Sequence, residues 1–185
     1  MFIQTETTPN PATLKFLPGR TVLADGTLDM RGKADAEQSP LAMRLFEVEG
    51  VSGVFFGTDF IAVTKSGGEW HQLKPALLGA IMEHFMSGAP VVTSGAAGDA
   101  AADEFFDPKD AETVAMIKDL LETRVRPAVA NDGGDITFRG FKDGIVYLDM
   151  KGACSGCPSS TATLRHGIQN LLRHFVPDVV EVRPN

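Results

Sequence analysis

Cys154 and Cys157 are the only cysteines in the chain; Ser155 and Gly156 separate them, and Pro158 follows. Tetrahedral zinc sites and cubane iron–sulfur sites each use about four protein ligands. The Cys-x-x-Cys motif therefore supplies half of such a site. Either the pair performs thiol redox chemistry by itself, or the chain obtains the missing ligands elsewhere, the obvious source being a second copy of itself.

The residues around the pair suit the ligation of a metal or a cluster. Gly152 and Gly156 let the backbone turn tightly and approach a bulky inorganic group. Pro158 is typical of the first turn of a helix, where its missing N–H costs nothing. Thiolates at a helix N-terminus are stabilised by its partial positive charge, and free amides there can donate hydrogen bonds to cluster sulfides.

Two other uses of the pair compete with a shared cluster. A zinc site within one chain would need histidines, but His166 lies about 13 Å along a helix from Cys157, too far for metal–ligand bonds of about 2 Å. His174 is farther still, and His71 and His84 belong to the other half of the chain. Thiol–disulfide exchange is the stronger competitor, because such enzymes use a Cys-x-x-Cys at a helix N-terminus. Against it, no βαβ pattern precedes the motif.

A site shared between two chains fits the ligand count best. Two copies related by a two-fold axis would present four thiolates, enough for one 4Fe-4S cluster. Such a site lies at an interface and has no closed cage of ligands, which favours handing a cluster on over storing it. The transfer step is a hypothesis, and a cluster that stays bound while an apo-acceptor is supplied would contradict it.

Composition excludes several classes of function. The chain has 185 residues, a formal net charge of -7 and 43% hydrophobic residues, which is typical of a globular protein of one or two small domains. The acidic balance argues against general binding to nucleic acid or anionic membranes. No apolar run approaches the roughly 20 residues that span a bilayer. Residues 1–6 lack signal-peptide features, so we expect a bacterial cytoplasmic protein.

The spacing of apolar residues predicts an α+β fold with two small domains. The first domain is expected at residues 1–86 with the order ββαββα. Its predicted elements are strands at 2–7 and 13–17, a helix along Leu41, Leu45 and Val48, a hairpin of 51–56 with 60–64, and a helix along Leu73, Leu77, Ile81 and Phe85.

Residues 87–108 are predicted to form a flexible linker, since most of them are small, acidic and without periodicity. Phe105 and Phe106 at its end are expected to dock on one of the domains.

The second domain is expected at residues 109–185 with the order αββαβ, and the Cys-x-x-Cys motif falls on its strand-to-helix loop. Its predicted elements are a helix along Val114, Ile117, Leu121 and Val125 that ends near Pro127, a hairpin of 136–141 with 145–150, a helix along Leu164, Ile168, Leu171 and Phe175, and a strand at 179–182.

Several other residues have a structural reading beside a functional one. Asp132 and Asp135 bracket two glycines and are explained by turn chemistry. Three phenylalanines, Phe55, Phe56 and Phe60, are predicted core residues, with a client-binding patch as the alternative. Trp70 is expected either to cap the core or to mark a docking surface. Four basic residues of the second domain are read as a solvated face, or as compensation for a cluster's negative charge: Arg124, Arg126, Arg139 and Lys151.

Two sets of motifs resemble a known family. The stretch 126–135, Arg-Pro followed by Asn-Asp-Gly-Gly-Asp, and the stretch 151–160, Lys-Gly-Ala-Cys-Ser-Gly-Cys-Pro-Ser-Ser, closely resemble the C-terminal domain of NifU, the Nfu domain. The stretches 8–11, 14–16 and 54–61 resemble the Nfu N-terminal domain. Together the resemblance covers nearly the whole chain apart from the linker.

The resemblance implies an iron–sulfur cluster carrier, not an enzyme, that binds a 4Fe-4S cluster between two subunits. The family's cluster ligands carry over to Cys154 and Cys157 only. The implied partners are a second copy of the chain, an upstream cluster scaffold, and apo iron–sulfur clients such as aconitase-like and radical-SAM (lipoyl-synthase-like) proteins. A thiol-disulfide oxidoreductase that uses the same two cysteines remains the alternative.

Overall fold

The computed structural model describes residues 1–93, 104–153 and 158–185, with side chains from residue 161 onward in the last range. The chain divides into two compact units, Met1–Asp99 and Ala100–Asn185. Both combine helices with a sheet, so the predicted α+β class is confirmed. The middle of the predicted linker, residues 94–103, lies outside the described residues. No helix among the described residues is long and apolar enough to cross a membrane.

The first unit contains a five-stranded antiparallel sheet in the order β1-β2-β5-β4-β3. The predicted order ββαββα is present, and residues 20–39, for which no element was predicted, add a third short strand and a 3₁₀ turn at Asp35–Gln38. The elements are β1 Gln4–Thr7, β2 Thr13–Leu17, β3 Leu28–Met30, α1 Pro40–Phe46, β4 Val51–Phe56, β5 Ile61–Lys65 and α2 Trp70–Ser87.

Side chains of β2, β4 and β5 bury one face of this sheet against α1 and α2. Phe16, Phe56 and Ile61 are completely buried there, as are Leu77 and Ile81 of α2. Each fully buried side chain of this size contributes roughly 1.5–3 kcal/mol of transfer free energy. The helical spacing of apolar residues between 73 and 85 therefore identifies the face of α2 that packs against the sheet.

Phe55 lies on the opposite face of the sheet, because alternate residues of a strand point to opposite sides. It is 1% exposed and packs against Phe60, with 5.9 Å between the ring centroids. The prediction that Phe55, Phe56 and Phe60 are core residues is confirmed. Trp70 caps the core: its ring packs against the buried cluster, and its indole Nε1 donates to the Pro11 carbonyl at 3.0 Å.

The second unit contains a four-stranded sheet in the order β6-β7-β8-β9. Pairing is parallel between β6 and β7, antiparallel between β7 and β8, and parallel between β8 and β9. The predicted order αββαβ is present with one strand added in front. The elements are β6 Phe105–Phe106, α3 Ala111–Leu120, α4 Arg126–Asn131, β7 Gly134–Lys142, β8 Ile145–Gly152, α5 Pro158–Phe175 and β9 Glu181–Pro184.

Pro127 does not end the first helix of this unit, contrary to the prediction. A π-helical turn, Leu121–Val125, joins α3 to α4, and the helical path continues to Asn131. Proline normally disrupts a helix because it lacks an N–H and clashes with the carbonyl four residues before it. The wider π turn lies directly before α4 and places Pro127 in the first turn of α4, where its missing N–H is tolerated.

The core-facing side of α5 also differs from the prediction at its end. Ile168 is 3% exposed as expected, but Phe175 is 44% exposed and Leu172 is completely buried in its place. Leu172 follows Ile168 by four residues, so it continues the same helical face. The Phe175 ring instead lies under the Arg124 guanidinium, 5.0 Å from its centroid.

Phe105 and Phe106 lie inside the predicted linker and form β6 at the edge of the second sheet. They pair with Gly140 and Phe141. The Phe105 ring packs against Tyr147 in a tilted arrangement, with 5.2 Å between centroids, and covers Gly140, where a Cβ atom would lie 2.4 Å from the ring.

His84, which the sequence analysis considered only when it ruled out a zinc site, is a buried polar residue. Its side chain is completely buried near the end of α2, and neither ring nitrogen has a hydrogen-bond partner among the described residues. Burial, and to a smaller extent the positive charge of Arg44, lower the pKa of His84. The imidazole is therefore held in its neutral form.

Gly57 is predicted to tolerate no side chain, because a Cβ atom there would lie 2.2 Å from the ring of Phe60. We expect Gly57→Ala to lower the free energy of unfolding of the first unit by about 1–3 kcal/mol, the usual cost of overpacking. Urea unfolding followed by the fluorescence of Trp70, the single tryptophan, measures it. Gly67→Ala is the matched control, since a Cβ there meets open space, and an equal loss in both variants would contradict the prediction.

The lowered pKa of His84 predicts that the first unit loses stability in mild acid. Below the ordinary pKa of 6.5, the unfolded chain takes up a proton that the folded chain refuses until its own lower pKa is reached. The free energy of unfolding therefore has the full contribution of neutral His84 above pH 6.5. Below that pH it falls, by about 1.4 kcal/mol per pH unit at most. Trp70-monitored unfolding at several pH values should show a flatter dependence in His84→Leu than in the exposed control His71→Leu.

Candidate functional site

Cys154 and Cys157 lie outside the described residues, so their assignment as ligands stays a prediction. The structure describes the chain on both sides of the motif: β8 and Ala153 before it, and α5 from Pro158 after it. The motif therefore lies between the end of β8 and the start of α5.

The chain approaches the motif along the end of β8, which is paired with the beginning of β7. Gly152 lies opposite Gly134, and the amide of Ala153 donates to the carbonyl of Gly133 at 3.1 Å. Ala153 is 2% exposed. The last described residue before Cys154 is therefore held by a backbone hydrogen bond to the turn that starts β7.

Two glycines adopt left-handed backbone conformations at this point. Gly133 has a φ of +80° and Gly152 a φ of +68°, values that favour glycine over residues with a Cβ atom. The expected tight turn at Gly152 is thus a feature of the backbone directly before the motif.

Beyond the motif, α5 begins at Pro158, as the sequence predicted. Ile168 and Leu172 anchor the helix in the core, and the Gln169 side-chain oxygen accepts a hydrogen bond from the amide of Val182 in β9 at 3.1 Å. The helix is therefore fixed to the sheet, with its N-terminus directly after the motif.

A bidentate ion pair joins α4 to the start of β7. Arg126 donates through Nε to Oδ1 of Asp135 and through Nη2 to Oδ2, both at 2.9 Å. Its Nη1 also donates to Glu122 at 2.7 Å. These hydrogen bonds, above all the pair with Asp135, raise the pKa of Arg126. Sequence reasoning interpreted Asp135 as a turn residue and missed this pairing, although both residues lie in the motif that carries the family resemblance.

The other basic residues of the second unit are engaged in different ways. Arg139 forms a cross-strand ion pair with Asp149, and Arg124 lies over the Phe175 ring. Arg124 is exposed, as expected for a solvated face, whereas Arg126 and Arg139 are only partly exposed and are ion-paired, so the expected solvated face is met in part. In the described part of the chain, no three His, Cys, Asp or Glu side chains are grouped so that they could hold a metal ion.

Two family models match the chain. One, described as "Scaffold protein Nfu/NifU N terminal", matches residues 3–88, and the other, "NifU-like domain", matches residues 117–183.

Three curated relatives are similar over nearly the whole chain. The human "NFU1 iron-sulfur cluster scaffold homolog, mitochondrial" is 52% identical over 182 residues, which cover 97% of this chain and 70% of that protein. The Drosophila sechellia protein of the same name is 52% identical, over 98% of this chain and 64% of its own. The Arabidopsis thaliana "NifU-like protein 4, mitochondrial" is 51% identical, over 97% and 64%.

Two solved structures are also similar to parts of the chain. The solution structure of a NifU-like protein from Saccharomyces cerevisiae is 24% identical with a TM-score of 0.47, covering 51% of this chain and 86% of that one. The crystal structure of protein SAV1430 from Staphylococcus aureus is 26% identical with a TM-score of 0.39, covering 44% and 99%.

The predicted location is corrected by these comparisons. The human, fly and plant relatives are all named mitochondrial proteins, which contradicts the expectation of a bacterial cytoplasmic protein. The expectation failed because it rested on the lack of signal-peptide features in residues 1–6, which does not distinguish a bacterial cytoplasm from an organelle.

Gly152 provides a test of the backbone before the motif. We expect Gly152→Ala to lower the stability of the second unit by about 1–2 kcal/mol, because a Cβ atom is disfavoured at its positive φ. Hydrogen exchange of the peptide that spans residues 145–153, followed by mass spectrometry, should become faster.

Gly167→Ala is the matched control within the same unit. It lies in α5 facing open space, so alanine should stabilise that helix by about 1 kcal/mol. A Gly152→Ala variant whose exchange is as slow as that of the unchanged protein would contradict the assigned backbone conformation.

Proposed function

Because the chain belongs to the Nfu/NifU family of iron–sulfur cluster scaffold proteins, we propose that it binds an iron–sulfur cluster and delivers it to apo-proteins. The chain spans 70% of the human relative and 64% of the fly and plant relatives, so the roles below are proposals for this chain. The relatives' names describe a scaffold; delivery is the further step argued from the ligand count.

The observation that carries the proposal is that the whole chain offers two thiols, both in one Cys-x-x-Cys motif. Cys154 and Cys157 are the proposed ligands. Since a cubane cluster needs about four protein ligands, two chains would share one 4Fe-4S cluster and form a homodimer through it. The hydrogen bond of the buried Ala153 amide and the anchoring of α5 through Ile168 and Leu172 support a motif held between two fixed elements.

A cluster bound in this way is cargo, so we propose a carrier without catalytic turnover. Sharing between chains makes release possible by separation of the two copies, without the opening of a protein cage. The cluster would arrive from an upstream scaffold and leave to apo-proteins that need 4Fe-4S clusters, of the aconitase-like and radical-SAM (lipoyl-synthase-like) classes.

We further propose a division of labour between two domains, residues 1–86 and 109–185, joined by residues 87–108. The first family match, 3–88, overlaps the first domain, and the second, 117–183, lies in the domain with the cysteines. The first domain would recognise partners, because a tethered recognition domain raises the local concentration of a client near the cluster.

Anaerobic reconstitution with iron and sulfide tests the proposal. We expect about two irons and two sulfides per chain, visible absorption from the cluster, and a native mass equal to two chains. Cys154→Ser and Cys157→Ser should each abolish the cluster and the dimer that depends on it.

Thiol–disulfide exchange is the outcome that would overturn the proposal. A chain that stays colourless and monomeric after reconstitution, yet cycles between dithiol and disulfide, would identify an oxidoreductase. In that case Cys157→Ser should trap mixed disulfides through Cys154.

A further inference from the structure

The Arg126–Asp135 ion pair, called here the latch, is a largely buried ion pair of the second unit. The side chain of Asp135 is 5% exposed and that of Arg126 is 29% exposed. Besides the two bonds from Arg126, Asp135 Oδ1 accepts a hydrogen bond from the amide of Ile136 at 2.8 Å. A bidentate guanidinium–carboxylate pair restricts geometry as well as adding energy, so the two backbone segments that it joins have a defined relative position.

The latch joins the helix to the start of the sheet. Arg126 is the first residue of α4, and Asp135 is the second residue of β7. Between them the chain turns, with the amide of Gly133 donating to the Ala130 carbonyl at 3.0 Å. Two kinds of contact thus hold α4 against β7. Backbone hydrogen bonds stabilise the turn between them, and the latch joins the first residue of α4 to the second residue of β7.

The same turn holds the residues that precede the cysteine motif. Asp135 lies opposite Lys151 in the β7–β8 ladder, Gly134 lies opposite Gly152, and the Gly133 carbonyl accepts the hydrogen bond from Ala153. Ala153 is the residue before Cys154. Asp135 is therefore connected to the residue before Cys154 through the neighbouring Gly134–Gly152 strand pair and the hydrogen bond between Gly133 and Ala153.

We propose that Arg126 and Asp135 are positioning residues that hold the approach to the cysteine motif in the arrangement needed to ligate a cluster. The role in cluster ligation rests on the proposed function, whereas the contacts that connect Arg126 and Asp135 to Ala153 lie among the described residues. Buried ion pairs contribute little net stability compared with apolar packing and are retained in some proteins to specify one arrangement. Outer residues that orient ligands are known to change metal affinity or activity by about 10- to 100-fold when they are replaced.

A second Arg–Asp pair in the same hairpin provides a matched control. Arg139 and Asp149 form a cross-strand ion pair between β7 and β8 in the middle of the ladder, with side chains 24% and 22% exposed. This pair also joins β7 to β8, but it lies away from the turn at Gly133. Its loss should therefore leave the approach to the motif unchanged.

The test compares Arg126→Lys and Asp135→Asn with Arg139→Lys and Asp149→Asn in the full-length chain. Lysine keeps the charge of Arg126 but lacks the planar guanidinium that bonds both carboxylate oxygens. Asparagine keeps the shape of Asp135 but not its charge. In the apo-protein, the rates at which iodoacetamide alkylates Cys154 and Cys157 should rise several-fold in the two latch variants and stay unchanged in the two controls. Far-UV circular dichroism and the thermal midpoint establish that each variant compared is folded.

The reconstituted protein gives the second readout. The half-life of the cluster's visible absorption in the presence of an iron chelator should shorten about 10-fold in the latch variants and remain unchanged in the controls. Glu122→Gln removes only the outer, 66% exposed partner of Arg126 and should behave like the controls. If Arg126→Lys fails to fold, Asp135→Asn carries the comparison, because it leaves Arg126 with Glu122 and no buried charge unpaired.

Alkylation rates that are unchanged in folded latch variants, or raised equally in the controls, would overturn the positioning role. Failure of the proposed function is distinguishable from this result. If the unchanged protein takes up no cluster, the carrier role is refuted, while the alkylation rates of the apo-protein still decide whether the latch positions the cysteines.

Discussion

The antiparallel ladder between β7 and β8 is the interaction on which the second unit depends. It builds the middle of the sheet, supplies the apolar face that α3 and α5 cover, and brings the turn at Gly133 beside the end of β8. The two ends of this hairpin serve different purposes. The closed end, at Asp143 and Gly144, sets the register, and the open end leads the chain to the two thiols.

The sequence predicts those features that arise from neighbouring residues. The β7–β8 turn was predictable because Asp143 and Gly144 are suited to positive φ, and both adopt it, at +52° and +77°. The amphipathic face of α2 and the proline at the start of α5 were predictable for the same local reasons. Residues 1–86 and 109–185 as domains, and Cys154 and Cys157 as ligands, stay predictions.

Features that depend on distant partners were missed or wrong. The latch is a contact between a helix and a strand, so turn chemistry at Asp135 gave no hint of it. The strand β6 has only two residues and exists because β7 offers an edge beside Gly140. The predicted end of the helix at Pro127 was wrong because a π turn, which has no simple sequence signature, ends one residue before α4 reaches that proline.

The position of β6 determines where the preceding chain joins the sheet of the second unit. Phe105 pairs beside Gly140, six residues along β7 from Gly134, which is about 20 Å in an extended strand. The preceding chain is therefore anchored to the sheet away from the end of the hairpin that leads to the cysteine motif, so the length of the segment before residue 104 can differ without altering the β7–β8 pairing beside the motif.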